Sequence, residues 1–369
     1  MNIFALSFVF MLALVLAELA IMKFVQGRAL PWREVIFNLN SGHILMWVGR
    51  GIEVALFALV LKYASVHIVD QWPLALQWVF GFIGWDFTFY WMHRMHHKMP
   101  FFWAVHVVHH QGEEFNLSLG IRNSWYSSLT SFLFVAILAV LGLPVEIFLV
   151  VSSIHYSVQF YNHNGIVKSS GFLDKIMVTP AYHRVHHASA PIYLDKNFGG
   201  TLQVWDKLFG TFQAREADTP LVFGVPGMER SDNPLWANNA GLFRFVRARF
   251  PGLRALPGFA VPDLFIGSGG VILFGLVIYY VNHELDFGAA HKLALFTLIF
   301  AATIALGALS DGRRWGAIGW VVLALGMPLL VGGLYGVRDA WGWCFLGLLL
   351  LHGLDGLRRL IIPGGRAAG

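Results

Sequence analysis

Nine apolar runs punctuate the chain, and their lengths set its class. Ile3 to Val25 is almost wholly apolar and longer than the roughly 20 residues that cross a bilayer. Lys23 and Arg28 come at its end rather than before it, so a retained helix is expected here and not a cleaved leader. Ile44 to Leu61 is a second span, with Arg50 and Glu53 spaced as an intrahelical ion pair. Pro73 to Trp91 is a third. Trp125 to Leu141 and Val145 to Asn162 are joined by Gly142-Leu143-Pro144, a tight connection that predicts a hairpin leaving and returning to one side. Residues Ser169 to Pro257 are far more polar and belong outside the membrane. Four more runs close the chain: Leu264 to Val281, Leu293 to Leu309, Trp315 to Tyr335 and Ala340 to Leu354.

With 57% hydrophobic and 13% charged residues, the composition excludes an ordinary soluble enzyme. The predicted class is all-α, a polytopic helical membrane protein. Its expected division is 1–257, a membrane-embedded catalytic domain, and 258–369, a C-terminal transmembrane helical region. The net charge of +5 shows no nucleic-acid-binding surface, but its distribution orients the chain. With the N-terminus outside, 22 of the 26 lysines and arginines fall on the side of the polar segment, which is therefore cytosolic. That means the inner membrane in a bacterium or the endoplasmic reticulum in a eukaryote.

Histidine supplies the candidate chemistry. Eleven of the 16 lie between His93 and His187: nine in H-R-M-H-H (93–97), H-V-V-H-H (106–110) and H-R-V-H-H (183–187), and His155 and His163, the latter in Y-N-H-N, between. Helical residues three and four apart share a face. His93 with His97, His106 with His109 and His110, and His183 with His186 and His187 are thus expected to project imidazoles together. Packed, uncoordinated polar rings near a membrane would be costly, so the clusters read as a metal site. His155, inside an apolar run, reads instead as a hydrogen-bonded packing residue, and His283, His291 and His352 sit near the ends of later runs.

The ligand count constrains the metal. A tetrahedral zinc needs three or four ligands, and eight or nine histidines are too many for one ion, so two are expected. The zinc-peptidase pattern H-E-x-x-H fails because Arg94 and Arg184 stand where it needs glutamate. A haem would use only one or two of the rings. The single Cys344 excludes both an internal disulfide and a thiolate-bound iron–sulfur cluster. A metal transporter would need ligands strung across the bilayer, whereas these lie on one face.

The runs D-F-T-F-Y-W-M-H-R-M-H-H, H-V-V-H-H, Y-H-R-V-H-H, and D-K-N-F-G-G followed by W-D-K-L-F-G-T-F resemble the fatty acid hydroxylase and sterol desaturase superfamily. With E-F-N-L-S after the second box, the chain is most similar to its alkylglycerol monooxygenase branch. The resemblance implies two Fe ions in a cytosolic histidine-rich helical cap, O2 as oxidant, and hydroxylation of the apolar chain of a membrane lipid: an ether lipid, fatty acyl chain or sterol. Desaturation is the alternative outcome on the same site, and a histidine-rich metal-handling protein is a more distant one.

Carried over by position, the ligands and catalytic residues would be His93, His97, His106, His109, His110, His163, His183, His186 and His187. His96 is not required by that pattern. Nearby carboxylates are expected to orient the rings by accepting their second N–H. Asp86, two turns before His93, is the first choice, with Glu113, Glu114, Asp174 and Asp195 as others and Asn197 added from the D-K-N run. The chain has no flavin, nicotinamide or haem motif, so an external electron donor is expected, either a redox partner protein or a small reductant. The branch that uses tetrahydrobiopterin has glutamate after the first box. Here Lys98 stands there, which argues against that donor.

Overall fold

The computed structural model describes residues 1–41, 43–247 and 259–361. These residues form fourteen α-helices and no β-strand. In chain order they are α1 (Ile3–Phe24), α2 (Trp32–Asn40), α3 (His43–Ala64), α4 (Leu74–Lys98), α5 (Pro100–His110), α6 (Ser127–Val140), α7 (Val145–Asn162), α8 (Pro180–His187), α9 (Val204–Leu208), α10 (Pro234–Phe245), α11 (Asp263–His283), α12 (Ala289–Ser310), α13 (Arg314–Met327) and α14 (Ala340–Ile361). The stretches Ile3–Phe24, Trp32–Ala64, Asp263–His283, Ala289–Ser310, Arg314–Tyr335 and Ala340–Ile361 are long and apolar enough to cross a membrane. The chain is a multi-pass membrane protein.

Three expected spans fall short of that standard, for two reasons. At about 1.5 Å per residue, the 14-residue α6 reaches only about 21 Å, less than a bilayer core of about 30 Å, and the 18-residue α7 is diluted by Glu146, His155, Gln159 and Asn162. Helix α4 is long enough at 25 residues, but it continues past Trp91 through the whole first histidine box and carries Gln77 and Asp86. Helix α2 was not foreseen. It is only nine residues long, and its buried Val35, Ile36 and Leu39 repeat too briefly to stand out beside the longer runs.

The helices form two compact units. One comprises residues 1–44, 230–237 and 250–369, so α1 and α2 group with the C-terminal helices. There α11 is the most buried span, and its glycines admit α2: a Cβ on Gly270 would lie 2.2 Å from Ile36 Cγ2. Arg33 ties α2 to the start of α11 through Asp263 at 2.7 Å. The boundary expected at residue 257 lies outside the described residues.

The other unit, residues 45–229 and 238–249, carries all the histidine clusters. Helix α4 lies between the arms of the α6–α7 hairpin, with Gly81 against Ile147 and Leu143 and Gly84 against Leu138. The hairpin turn uses Gly142 at φ +94°, a left-handed conformation that suits glycine. Phe57, Trp85, Val135, Phe148 and Val151 fill the core between these helices. Arg50 pairs with Glu53 at 2.6 Å and reaches Ser152 of α7, while Ser131 of α6 donates to Glu53, so the pair fastens α3 to both arms.

A candidate metal centre of nine histidines

Proline sets the geometry of the first two boxes. Pro100 disfavours helix at the preceding residue, and Met99 is extended (φ −103°, ψ 123°), so α4 stops after Lys98. Pro100 then occupies the first turn of α5, where its missing N–H costs nothing. One extended residue therefore folds α5 back on α4 and brings their histidines together. Pro180 opens α8 in the same way after extended Thr179.

All nine histidines expected as ligands come together, in two groups. Nitrogens of His93, His97, His106, His110 and His186 lie within 4.8 Å of one another, as do those of His109, His163, His183 and His187. The partition differs from the expectation that each box acts as one unit. Positions i and i+4 stay together (93 with 97, 106 with 110, 183 with 187), while His109 and His186 join the opposite groups. Neighbours on a helix point about 100° apart, so His109 and His110 cannot serve one centre. The second and third boxes thus each contribute to both groups.

Backbone carbonyls orient the rings. Nδ1 of His93 donates to Phe198 O at 2.9 Å, His186 to Lys196 O at 2.8 Å, His109 to Arg122 O at 2.6 Å and His163 to Gln159 O at 2.8 Å. In a neutral ring this leaves Nε2 with a lone pair and no proton. The rings are neutral at pH 7: burial pushes His109 and His186 down to about 4, and burial reinforced by neighbouring rings pushes His93, His97, His106, His110, His163, His183 and His187 well below the usual value.

The consequence is a cluster of lone pairs. His163 Nε2 stands 3.2 Å from His109 Nε2, yet neither has a proton to donate. His183 and His187 bring their own Nε2 atoms within 3.0 and 3.2 Å of the same His163 atom. In the five-ring group the Nε2 atoms of His93, His97 and His186 are buried without a hydrogen-bond partner. Converging acceptors in a buried site repel unless a cation sits among them, and neutral imidazole is a common metal ligand. The donor set fits metal.

The expected carboxylate acceptors are placed differently. Asp86 takes the backbone N–H groups of Thr201 and Leu202 and the indole N–H of Trp205, holding the loop after Gly-Gly rather than a ligand ring. Asp174 is occupied by Ser169, Ser170 and Thr179, and Glu113 is exposed. Asp195 comes nearest, 4.0 Å from His97 Nδ1, and it also pairs with Lys98 at 2.6 Å. Asn197 sits at φ +54° and bonds Tyr182 O, Gln213 O and Gln213 N, which fixes the loop whose carbonyls receive His186 and His93. Carbonyls serve here because a loop crossing the site offers them at every residue.

His96 and His155 belong to neither group. His96 bonds Met92 O and Thr130 Oγ1, and His155 bonds Thr201 Oγ1 and Phe82 O while stacking on Trp85. Sequence reasoning missed Asp206, whose carboxylate accepts the N–H groups of Phe198 and Gly199. It also missed Arg122, buried between Val108 O and Gln111. Asp206 lies in the W-D-K run, where its neighbours in the motif were the available signal. Phe115, of the E-F-N-L-S run, stacks on His163 and covers the four-ring group.

A helical membrane protein with nine converging imidazoles is a candidate metal-binding protein, and residues 78–211 match the fatty acid hydroxylase family model. The chain is 34% identical over 203 residues to alkylglycerol monooxygenase of Danio rerio, covering 54% of this chain and 44% of the relative. It is 32% identical over 221 residues to alkylglycerol monooxygenase of Homo sapiens (58% and 48%), and 31% identical over 169 residues to ornithine lipid hydroxylase OlsE of Rhizobium tropici (45% and 51%). The chain thus spans about half the length of the curated relatives it matches. No solved structure matches it.

Proposed function

We propose that this chain is an O2-dependent monooxygenase that hydroxylates the apolar chain of a membrane lipid at two irons held by the nine histidines. The observation that carries the reading is the convergence of ring nitrogens into a group of five and a group of four, with Nε2 of His93, His109, His163 and His186 left free of a proton by the carbonyls at their Nδ1 atoms. Five ring nitrogens exceed a tetrahedral zinc site and suit a metal of higher coordination number, so iron is preferred over zinc. The irons, when bound, supply the redox capacity for attacking an unactivated C–H bond, which no side chain here possesses.

The protein's own part is to hold and insulate. Carbonyls of Arg122, Gln159, Lys196 and Phe198 fix which nitrogen of His109, His163, His186 and His93 faces the metal. Phe115, Phe198 and Trp103 line the rings with apolar surface and limit access of water. Hydroxylation is favoured over desaturation because the named relatives are a monooxygenase and a hydroxylase. The positive-charge bias supports a site on the cytosolic face, within reach of a reductant there.

The test uses the purified full-length chain loaded with iron, a chemical reductant and isotopically labelled O2. Label in the lipid product supports a monooxygenase. An unsaturated product without label, or no oxygen consumption at full iron loading, overturns it.

A further inference from the structure

The five-ring group has an apolar groove on its flank. Helix α5 turns His106 and His110 toward the metal-binding nitrogens and Pro100, Ala104 and Val107 toward the groove, which has a volume of about 340 Å³. That lies within the ~300–1,000 Å³ of ordinary ligand clefts. Trp103 borders both sides. It lines the groove, and its ring centroid is 5.2 Å from that of His97, 5.5 Å from His110 and 6.4 Å from His106.

The opposite wall is α10 with the segment Val225 to Met228. Gly241 lets α10 touch α5, since a Cβ there would lie 2.2 Å from Ala104 O. At one end Phe101 and Phe245 meet at 5.8 Å, and both are exposed, as is Val246 beside them. The rim is thus greasy, suited to lipid tails rather than to water. Arg244 is the only charged residue of the lining; it is exposed, and its guanidinium has no ion-pair or hydrogen-bond partner among the described residues. A free guanidinium beside an apolar slot is complementary to an anionic headgroup carrying a chain.

We propose that this groove binds a lipid with an anionic headgroup, Arg244 taking the headgroup and the apolar chain running along α5 to Trp103. This rests on the proposed function and adds the entry route and headgroup class. Trp103 stands between the chain's inner end and the rings, so it sets how far the chain advances.

The experiment labels the full-length protein in nanodiscs with a photoreactive alkyl phospholipid, in anionic and neutral-headgroup versions, and maps the modified peptides. Labelling is expected on α5 and α10. Val225→Trp, which fills the groove, should cut labelling by both probes about tenfold, and Arg244→Glu should do so for the anionic probe alone. Metal content should stay at the wild-type level in both variants, which shows that they fold. Labelling confined to other helices, or wild-type labelling of Val225→Trp, overturns the proposal, and exclusive protection of the groove by a second copy of the chain does the same. Persistent labelling without turnover of any lipid would instead indict the hydroxylase reading, since the groove would still be filled.

Discussion

Asp206 accepts the backbone N–H of Phe198 at 2.7 Å, and the carbonyl of the same Phe198 receives Nδ1–H of His93 at 2.9 Å. Phe198 thus connects a buried carboxylate that touches none of the rings to a ring whose Nε2 faces the five-ring group. Asp206→Asn should weaken metal retention about 10- to 100-fold, the usual cost of losing an outer support. Competition against a chelator measures this, and wild-type retention would show that the loop holds without Asp206.

His163 lies at the centre of the four-ring group. His163→Ala should lower bound metal from about two ions per chain to about one and abolish turnover. His96→Ala, which loses bonds to Met92 and Thr130 only, should keep the metal and cost about 1–2 kcal/mol of stability. His352→Ala should keep it as well. Elemental analysis of the three variants decides, and full metal in His163→Ala would sink the assignment.

Acid should loosen the metal-free protein. The buried rings have pKa values below the unfolded value of about 6.5, so the unfolded state binds more protons between the two. Their contribution is complete above about 6.5 and is lost as the pH falls toward about 4, at about 1 kcal/mol per ring per pH unit before coupling between rings reduces it. The thermal midpoint of metal-free protein should therefore be lower at pH 5.5 than at pH 7.5. An unchanged midpoint would mean that the rings are not buried as described.

Lys98 is committed to Asp195 at 2.6 Å, so the position after the first box presents an ion pair to any incoming donor. Tetrahydrobiopterin as sole reductant should therefore support no turnover in purified protein, whereas a redox partner or chemical reductant should. Product formation with the pterin alone would refute this.

The histidines were legible because several imidazoles at helical spacing have few uses other than metal. Two features were hidden. The crossing of His109 and His186 between groups depends on how α5 and α8 face each other, and side-chain spacing within one helix carries no such information. The acceptors of the Nδ1 protons of His109, His163, His186 and His93 are carbonyls of Arg122, Gln159, Lys196 and Phe198, and a carbonyl leaves no residue-type signature. Asp86 was expected at the rings because its helical register is right, but it is engaged by Thr201, Leu202 and Trp205.

The exchange of rings between boxes also has a mechanical result. An ion bound by the five-ring group would join α4 and α5 to His186, closing a loop of about ninety residues, and an ion in the four-ring group would join His109 to α7 and α8. In a chain whose only thiol is an exposed Cys344, these two knots would take the part that crosslinks play in secreted domains. Metal supply would then govern the lifetime of the folded unit as well as its turnover.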